Sequence, residues 1–162
     1  MHMKSIPIIL VLAVTGMTSC KDAGTSPSPD EVFDQIRIAV FRYQIPTQDS
    51  TIDRARACYL GLLVLDSLGH YYVDPSDHVM IAFQTNQRVS ECIISLEGVF
   101  DKRTGNLGAF YFVGSITQTQ PDTYEVQGGW YRSGNGAEGY RFTVIGVPYH
   151  WTVIKSVLTW MS

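Results

Sequence analysis

Residues 140–160, YRFTVIGVPYHWTVIKSVLTW, decide the fold. In the first half Tyr140, Phe142 and Val144 alternate with Arg141 and Thr143; beyond Pro148, Trp151, Val153 and Lys155 alternate similarly. A period of two sends neighbouring side chains to opposite faces of a strand, so residues 140–147 and 151–160 read as two strands joined by a turn. The same period runs upstream through residues 92–100, 107–116 and 123–131. The separators carry turn chemistry: Asp101-Lys102-Arg103-Thr104-Gly105-Asn106, Gln120-Pro121-Asp122 and Ser133-Gly134-Asn135-Gly136. Short connections of this kind join antiparallel neighbours. The expectation is a twisted meander, with Gly128-Gly129 marking a bulge inside one run.

Before residue 91 the period differs. Ser28-Pro29-Asp30-Glu31 has a capping serine, a proline suited to the first helical position and a glutamate three residues after the cap. Val32, Phe33, Ile36, Ala39, Val40 and Tyr43 then recur at spacings of three and four, which predicts an amphipathic helix ended by Pro46. Ala57 to Leu65 is nearly continuous apolar sequence and reads as a central strand. Asp66-Ser67-Leu68-Gly69 predicts a turn, and Asp74-Pro75-Ser76-Asp77 opens a shorter helix that buries Val79, Met80 and Phe83. The fold class expected is α+β: an N-terminal amphipathic helix and a short second helix packed on a curved antiparallel sheet of five to six strands. Residues 29–162 form its single domain.

Length and composition agree with one folded unit. The chain has 162 residues, 45% of them apolar and 12% aromatic, which is too rich in core-forming side chains for a disordered segment. A formal charge of −3 disfavours nucleic acid, whose phosphates would be repelled. There is no P-loop and no internal repeat. Ser90, Ser95 and Ser115 lie outside any Gly-x-Ser-x-Gly elbow.

The first nineteen residues have the pattern of a signal peptide. Lys4 supplies a positive start, and Ile6 to Val14 form an apolar run too short to span a bilayer as a helix. The run leads into Gly16-Met17-Thr18-Ser19-Cys20, which resembles the lipobox of bacterial lipoproteins, with Met17 where that pattern prefers leucine. The resemblance implies that Cys20 is acylated and becomes the mature N-terminus, a partner of the lipid bilayer. It further implies several acyl chains, and more than one chain makes anchoring durable. Lys21 is not the aspartate that holds some lipoproteins at the inner membrane, so the resemblance favours the outer membrane where the cell has one. Residues 20–28, with the polar stretch KDAGTSPS after the cysteine, read as a tether. Loss of Lys4 with the signal leaves 11 basic against 15 acidic side chains, a net charge of −4.

Cys58 and Cys92 remain after Cys20 is set aside. Two thiols in an exported, oxidising compartment most simply form one disulfide. It would close a loop of about 34 residues, on the order of 3–4 kcal/mol of stability. Two buried thiols are the alternative; neither cysteine has the flanking residues of a catalytic nucleophile.

Polar chemistry is densest in residues 70–78, HYYVDPSDH. His70, Asp74, Asp77 and His78 are the candidate acid–base or metal-ligating groups. However, the two histidines lie eight residues apart across a proline turn and lack the i, i+4 spacing of a helical zinc pair. Ser76 and Asp77 are accounted for by the first turn of a helix, where the dipole favours them. No metal and no cofactor is expected. Asp53, Arg54 and Arg56 precede one strand and Glu91 another, so an arginine–glutamate pair on the sheet's rim is a further expectation.

The element order and the Trp-containing final strand of YRFTVIGVPYHWTVIKSVLTW are similar to the cystatin-like and nuclear-transport-factor-2-like superfamilies. These include isomerases, dehydratases, binding modules and protein-contact domains, so the likeness implies a fold and leaves activity open. Taken together, the residues point to an envelope lipoprotein that binds an envelope protein or a small ligand. The alternatives are an isomerase or hydrolase using Asp74 or Asp77 with His70 or His78, and an inhibitor or immunity-type protein.

Overall fold

A computed structural model describes residues 26–48 and 57–162. The signal segment 1–19, Cys20, most of the tether, and Asp53, Arg54 and Arg56 with their proposed pairing to Glu91 lie outside the described residues. The first helix, α1, spans Pro29–Gln48 and is followed by β1 (Ala57–Asp66), β2 (Gly69–Val73) and a short α2 (Asp77–Ile81). Next come β3 (Gln87–Arg88), a 3-10 turn (Val89–Glu91), and the strands β4 (Cys92–Ser95) and β5 (Gly98–Asp101). Four long strands complete the chain: β6 (Leu107–Gln120), β7 (Thr123–Ser133), β8 (Gly136–Val147) and β9 (His150–Met161).

All nine strands join one sheet, whose main path runs β2-β1-β6-β7-β8-β9. This corrects the expectation of five to six antiparallel strands. The run 92–100 is not one strand but the hairpin β4–β5, which turns at Leu96 and Glu97 and lays β5 against the start of β6. Residues 69–73 pair back on β1 to form the sheet's other edge. The sheet is also mixed: β1 runs parallel to β6, with Leu60 beside Tyr111 and Leu62 beside Val113. Everything from β2 to β5 lies between those two strands in sequence, which is length enough for a crossover.

Helix α1 starts as expected. Ser28 Oγ accepts from the Glu31 amide at 3.3 Å. The Glu31 carboxylate instead accepts from Tyr149 Oη at 3.2 Å, tying the helix to the β8–β9 turn. The helix runs two residues past Pro46, to Gln48. A proline this close to the end removes only one late backbone bond, so it does not act as the stop.

The pleat builds two cores, one on each face of the sheet. On the helix side Ile36, Val40 and Phe41 meet Leu60, Tyr111, Val113, Val126, Phe142 and Val144. Ring contacts brace that layer, with Phe41 edge-on to Phe83 at 5.9 Å and Tyr43 edge-on to Phe142 at 5.8 Å. Each such side chain contributes about 1.5–3 kcal/mol by leaving water. On the opposite face Tyr59, Phe110, Phe112, Val99, Val89 and Cys92 form a smaller core, with Tyr72 of β2 packed against it.

This two-sidedness answers the disulfide expectation. Cys58 packs with the helix-side core and Cys92 belongs to the core on the other face, and no disulfide joins them. A one-residue difference in strand parity put the thickness of the sheet between two thiols that sequence spacing alone would allow to meet. Burial pushes the Cys92 thiol up to about 11, and its Sγ donates to the Val89 carbonyl.

Gly128 and Gly129 are not a bulge, since both sit in continuous register with β8. The extra residue is on β6, between Val113 and Ile116. The two glycines serve close approach: a Cβ on Gly128 would stand 2.7 Å from Gln44 Nε2 of the helix and 2.7 Å from the Phe112 carbonyl oxygen.

Candidate functional site

A slot of about 490 Å³ opens between α1, α2 and the β8–β9 hairpin, within the size range of small-molecule sites. One face of α1 forms its floor, with Gln35, Ile38, Ala39 and Arg42 at the i, i+3, i+4, i+7 spacing of a single helical stripe. Helix α2 contributes His78, Ile81 and Ala82, and the hairpin contributes Tyr149, Trp151 and Val153.

Three local features set this geometry. Ser76 caps α2, its Oγ accepting from the Val79 amide at 3.2 Å and donating to Asp34 Oδ2 at 2.5 Å. Asp34 in turn takes the Arg37 guanidinium at 2.7 Å, so one carboxylate ties α2 to α1. The hairpin turns at Pro148 and Tyr149, between the paired Val147 and His150. Tyr149 has φ 71°, the left-handed region where glycine or asparagine is the usual choice.

Gln35 is the slot's distinctive group. The residue is 8% exposed. Its Oε1 accepts from the Tyr149 amide at 2.6 Å and from Trp151 Nε1 at 3.2 Å. Both partners are N–H donors, which fixes the amide's orientation. Nε2 is thereby committed to face elsewhere, and it is buried without a hydrogen-bond partner. An unsatisfied buried donor costs about 1–3 kcal/mol, and native structures hold few of them.

The charges around the slot are arranged unevenly. Arg42 is exposed and, among the described residues, has no ion-pair partner. At the Gln35 end Glu31 lies against the Tyr149 hydroxyl, and this charge holds the phenol above its ordinary range.

The residues singled out in the sequence scatter. His78 is exposed on the rim of this slot, whereas His70 sits on the edge strand β2 and lines a different hollow on the other face of the sheet. Asp74 accepts from the Ser90 amide at 2.9 Å, and Asp77 pairs with Arg88 at 2.5 Å. These four residues are not brought together as a catalytic set. Among the described residues no three metal-ligating side chains cluster. The hollow that holds His70 measures about 580 Å³ and is lined also by Tyr72, Gln127, Arg141 and Trp160. Its arginine is already shared with Glu125 at 3.8 Å.

Gln35 and Arg42 were not marked by the sequence, and Tyr149 stood out only as one of the meander's many aromatic residues. The signal available was weak: a glutamine and an arginine seven apart on a helix whose neighbouring stripe is apolar, and a proline followed by a tyrosine at a turn. No protein family, curated protein or solved structure matches the chain. No helix among the described residues is long and apolar enough to cross a membrane.

Proposed function

We propose that this protein is an envelope lipoprotein, anchored through an acylated Cys20, whose α+β domain binds a small ligand in the slot between α1, α2 and the β8–β9 hairpin. The observation that carries the binding half is the slot of about 490 Å³ itself, walled by Ile38, Ala39, Ile81, Ala82 and Val153 with the exposed Arg42 among its lining residues. The anchoring half is supported by the lipobox-like Gly16–Cys20 segment. The eight residues from Lys21 to Ser28 reach at most about 28 Å when extended, enough to hold a domain just clear of headgroups. The packing of α1 on one face of the sheet fits a domain that cups a ligand between helix and sheet.

Two measurements test the two halves separately. Metabolic labelling with an alkyne-bearing fatty acid should tag the wild-type chain and fail to tag a Cys20→Ser variant; equal tagging would refute the anchor. For binding, a fragment screen on the full chain in nonionic detergent, read by intrinsic tryptophan fluorescence and by melting temperature, should return ligands whose effect disappears in Ala39→Phe, which fills the slot. Hits that all survive that substitution would place binding elsewhere.

A further inference from the structure

We infer that the domain lies with its last strand against the membrane that holds Cys20: the free edge of β9, from Ile154 to Met161, docks at the interface of an anionic lipid surface. This rests on the anchoring half of the reading above and adds which face of the domain meets lipid.

Strand β9 ends the main path of the sheet, and β8 is its only strand partner among the described residues. Its 12 residues present a row of backbone N–H and C=O groups that no strand takes. At the other end of the path β2 has 5 residues, and shortness is one way an edge is blunted. Of the exposed large apolar side chains among the described residues, half lie in residues 145–161. On β9 itself these are Ile154, Val157, Leu158, Trp160 and Met161. Val157 and Leu158 alternate to opposite faces, so the apolar surface flanks the edge from both sides.

Charge divides in the same place. All 15 acidic side chains precede Gly139, whereas Arg141 and Lys155 follow it. Arg141 is shared with Glu125 at 3.8 Å, but Lys155 is exposed and has no ion-pair partner among the described residues. A tryptophan and a lysine on an otherwise apolar stretch suit headgroup depth, where the ring rests at the interface and the ammonium reaches anionic phosphates. Water and headgroup oxygens at that depth also serve the free amides, which hydrocarbon would leave unpaired.

The tether leads to this edge. Residues 21–28 span at most about 28 Å and enter α1, where Glu31 meets the Tyr149 hydroxyl and Gln35 accepts from the Tyr149 amide. Strand β9 starts at the next residue, His150, and runs for about 40 Å. An anchored chain therefore brings the hairpin end of β9 to the lipid. Tethering also makes docking intramolecular, at an effective concentration on the order of millimolar, so weak contacts suffice.

A second copy fits this edge less well. Pairing β9 with itself about a two-fold axis near mid-strand would bring two Lys155 side chains together, and the register with β8 skips Ile154 and Thr159. Lysines and bulges are devices that turn other strands away from an edge.

The test reconstitutes the acylated wild-type chain into vesicles of phosphatidylcholine with phosphatidylglycerol as the minority lipid, brominated high on the acyl chains. Flotation reports the anchor, and quenching of tryptophan fluorescence reports docking. Fractional quenching should fall by about half or more in Trp160→Phe and stay unchanged in Trp130→Phe. Lys155→Glu should lower it several-fold and abolish the advantage of anionic vesicles over pure phosphatidylcholine. Far-ultraviolet circular dichroism verifies that each variant is folded.

A chain that floats but is quenched equally with and without Trp160 would overturn docking through β9 while the anchor stands. Shielding of Trp160 from both bromolipid and aqueous acrylamide would mean that another copy covers the edge, and overturns it likewise. A chain that fails to float removes the anchor and this inference with it.

Discussion

Asp101 and Gln35 are buried almost equally, at 7% and 8% exposure, on opposite faces of the same sheet, and they are treated in opposite ways. Asp101 is saturated. Its Oδ2 accepts from Tyr59 Oη at 2.7 Å, and its Oδ1 accepts from the amides of Arg103 and Thr104 and from the Thr104 hydroxyl. Gln35 is saturated on its oxygen and bare on its nitrogen. A buried polar group with every position filled is a structural knot. One with a position left unfilled carries a desolvation cost instead. The difference separates a closed face of the molecule, whose buried polar group is fully satisfied, from an open one that tolerates an unfilled donor.

The largest loss of stability should come from Asp101→Ala. It strips the acceptor from four donors and leaves the Tyr59 hydroxyl buried beside nothing. The Tyr59 hydrogen bond, with those of Thr104, holds the Asp101 carboxyl down at about 2, against an ordinary 3.8. A carboxylate whose pKa is depressed in the folded state stabilises that state above its unfolded pKa and ceases to as the pH falls through the folded one. Wild-type stability should therefore decline between about pH 4 and pH 2 through this group. In urea unfolding the gap between wild type and Asp101→Ala should be widest near neutrality and narrow across that interval. A gap that stays constant down to pH 2 would contradict the knot.

Tyr59→Phe asks a narrower question, since it removes one donor and keeps the ring. The expected cost is about 2 kcal/mol, typical of a buried hydrogen bond to a charged acceptor. Burial and the neighbouring Asp101 both hold the Tyr59 phenol well above its usual range, so the hydroxyl stays protonated and donating across all ordinary pH.

Gln35→Leu, the counterpart on the open face, should cost less than about 1 kcal/mol. The Tyr149 amide and Trp151 Nε1 lose their acceptor, but both lie near solvent, and the orphaned amide goes with the substitution. Urea midpoints for Asp101→Ala, Tyr59→Phe and Gln35→Leu should fall in that order. If Gln35→Leu proved as damaging as Tyr59→Phe, Gln35 would be a structural knot of the same kind and the slot would lose its distinguishing feature.

The closed face was partly legible from sequence, and the open face was not. Helix α1 could be placed from Ser28, Pro29 and the spacing of Ile36 and Val40 because capping and periodicity act within a few residues. The long strands were legible for the same reason. Strand count failed where local pattern does not determine partners: Leu96 and Glu97 turn a run that looks continuous, and residues 69–73 become a strand only because β1 offers them an edge. The parallel contact of β1 with β6 depends on everything folded between them. The same limit explains the site. Residues 70–78 drew notice for composition, yet Asp74 and Asp77 are spent on Ser90 and Arg88. Gln35 looks ordinary until residues 114 and 116 positions later return to take its oxygen.

The smallest effect concerns the residue that commits Gln35. Tyr149 sits at φ 71°, where a side chain with a Cβ is held against its preference at about 1 kcal/mol. Glycine removes that strain but lengthens the list of conformations lost on folding, and it gives up the exposed bond to Glu31. These contributions nearly cancel, so Tyr149→Gly should match wild-type stability to within about 0.5 kcal/mol. Tyr149→Ala keeps the strain and loses the ring, and should fall about 1 kcal/mol below Tyr149→Gly. Both variants keep a backbone N–H for the Gln35 oxygen, and both remove the aromatic rim of the slot. Equal weakening of fragment binding in the two would mean that the ring covers the ligand. Weakening in the alanine variant alone would instead mean that backbone conformation at the hairpin, through the Gln35 bond, shapes the slot.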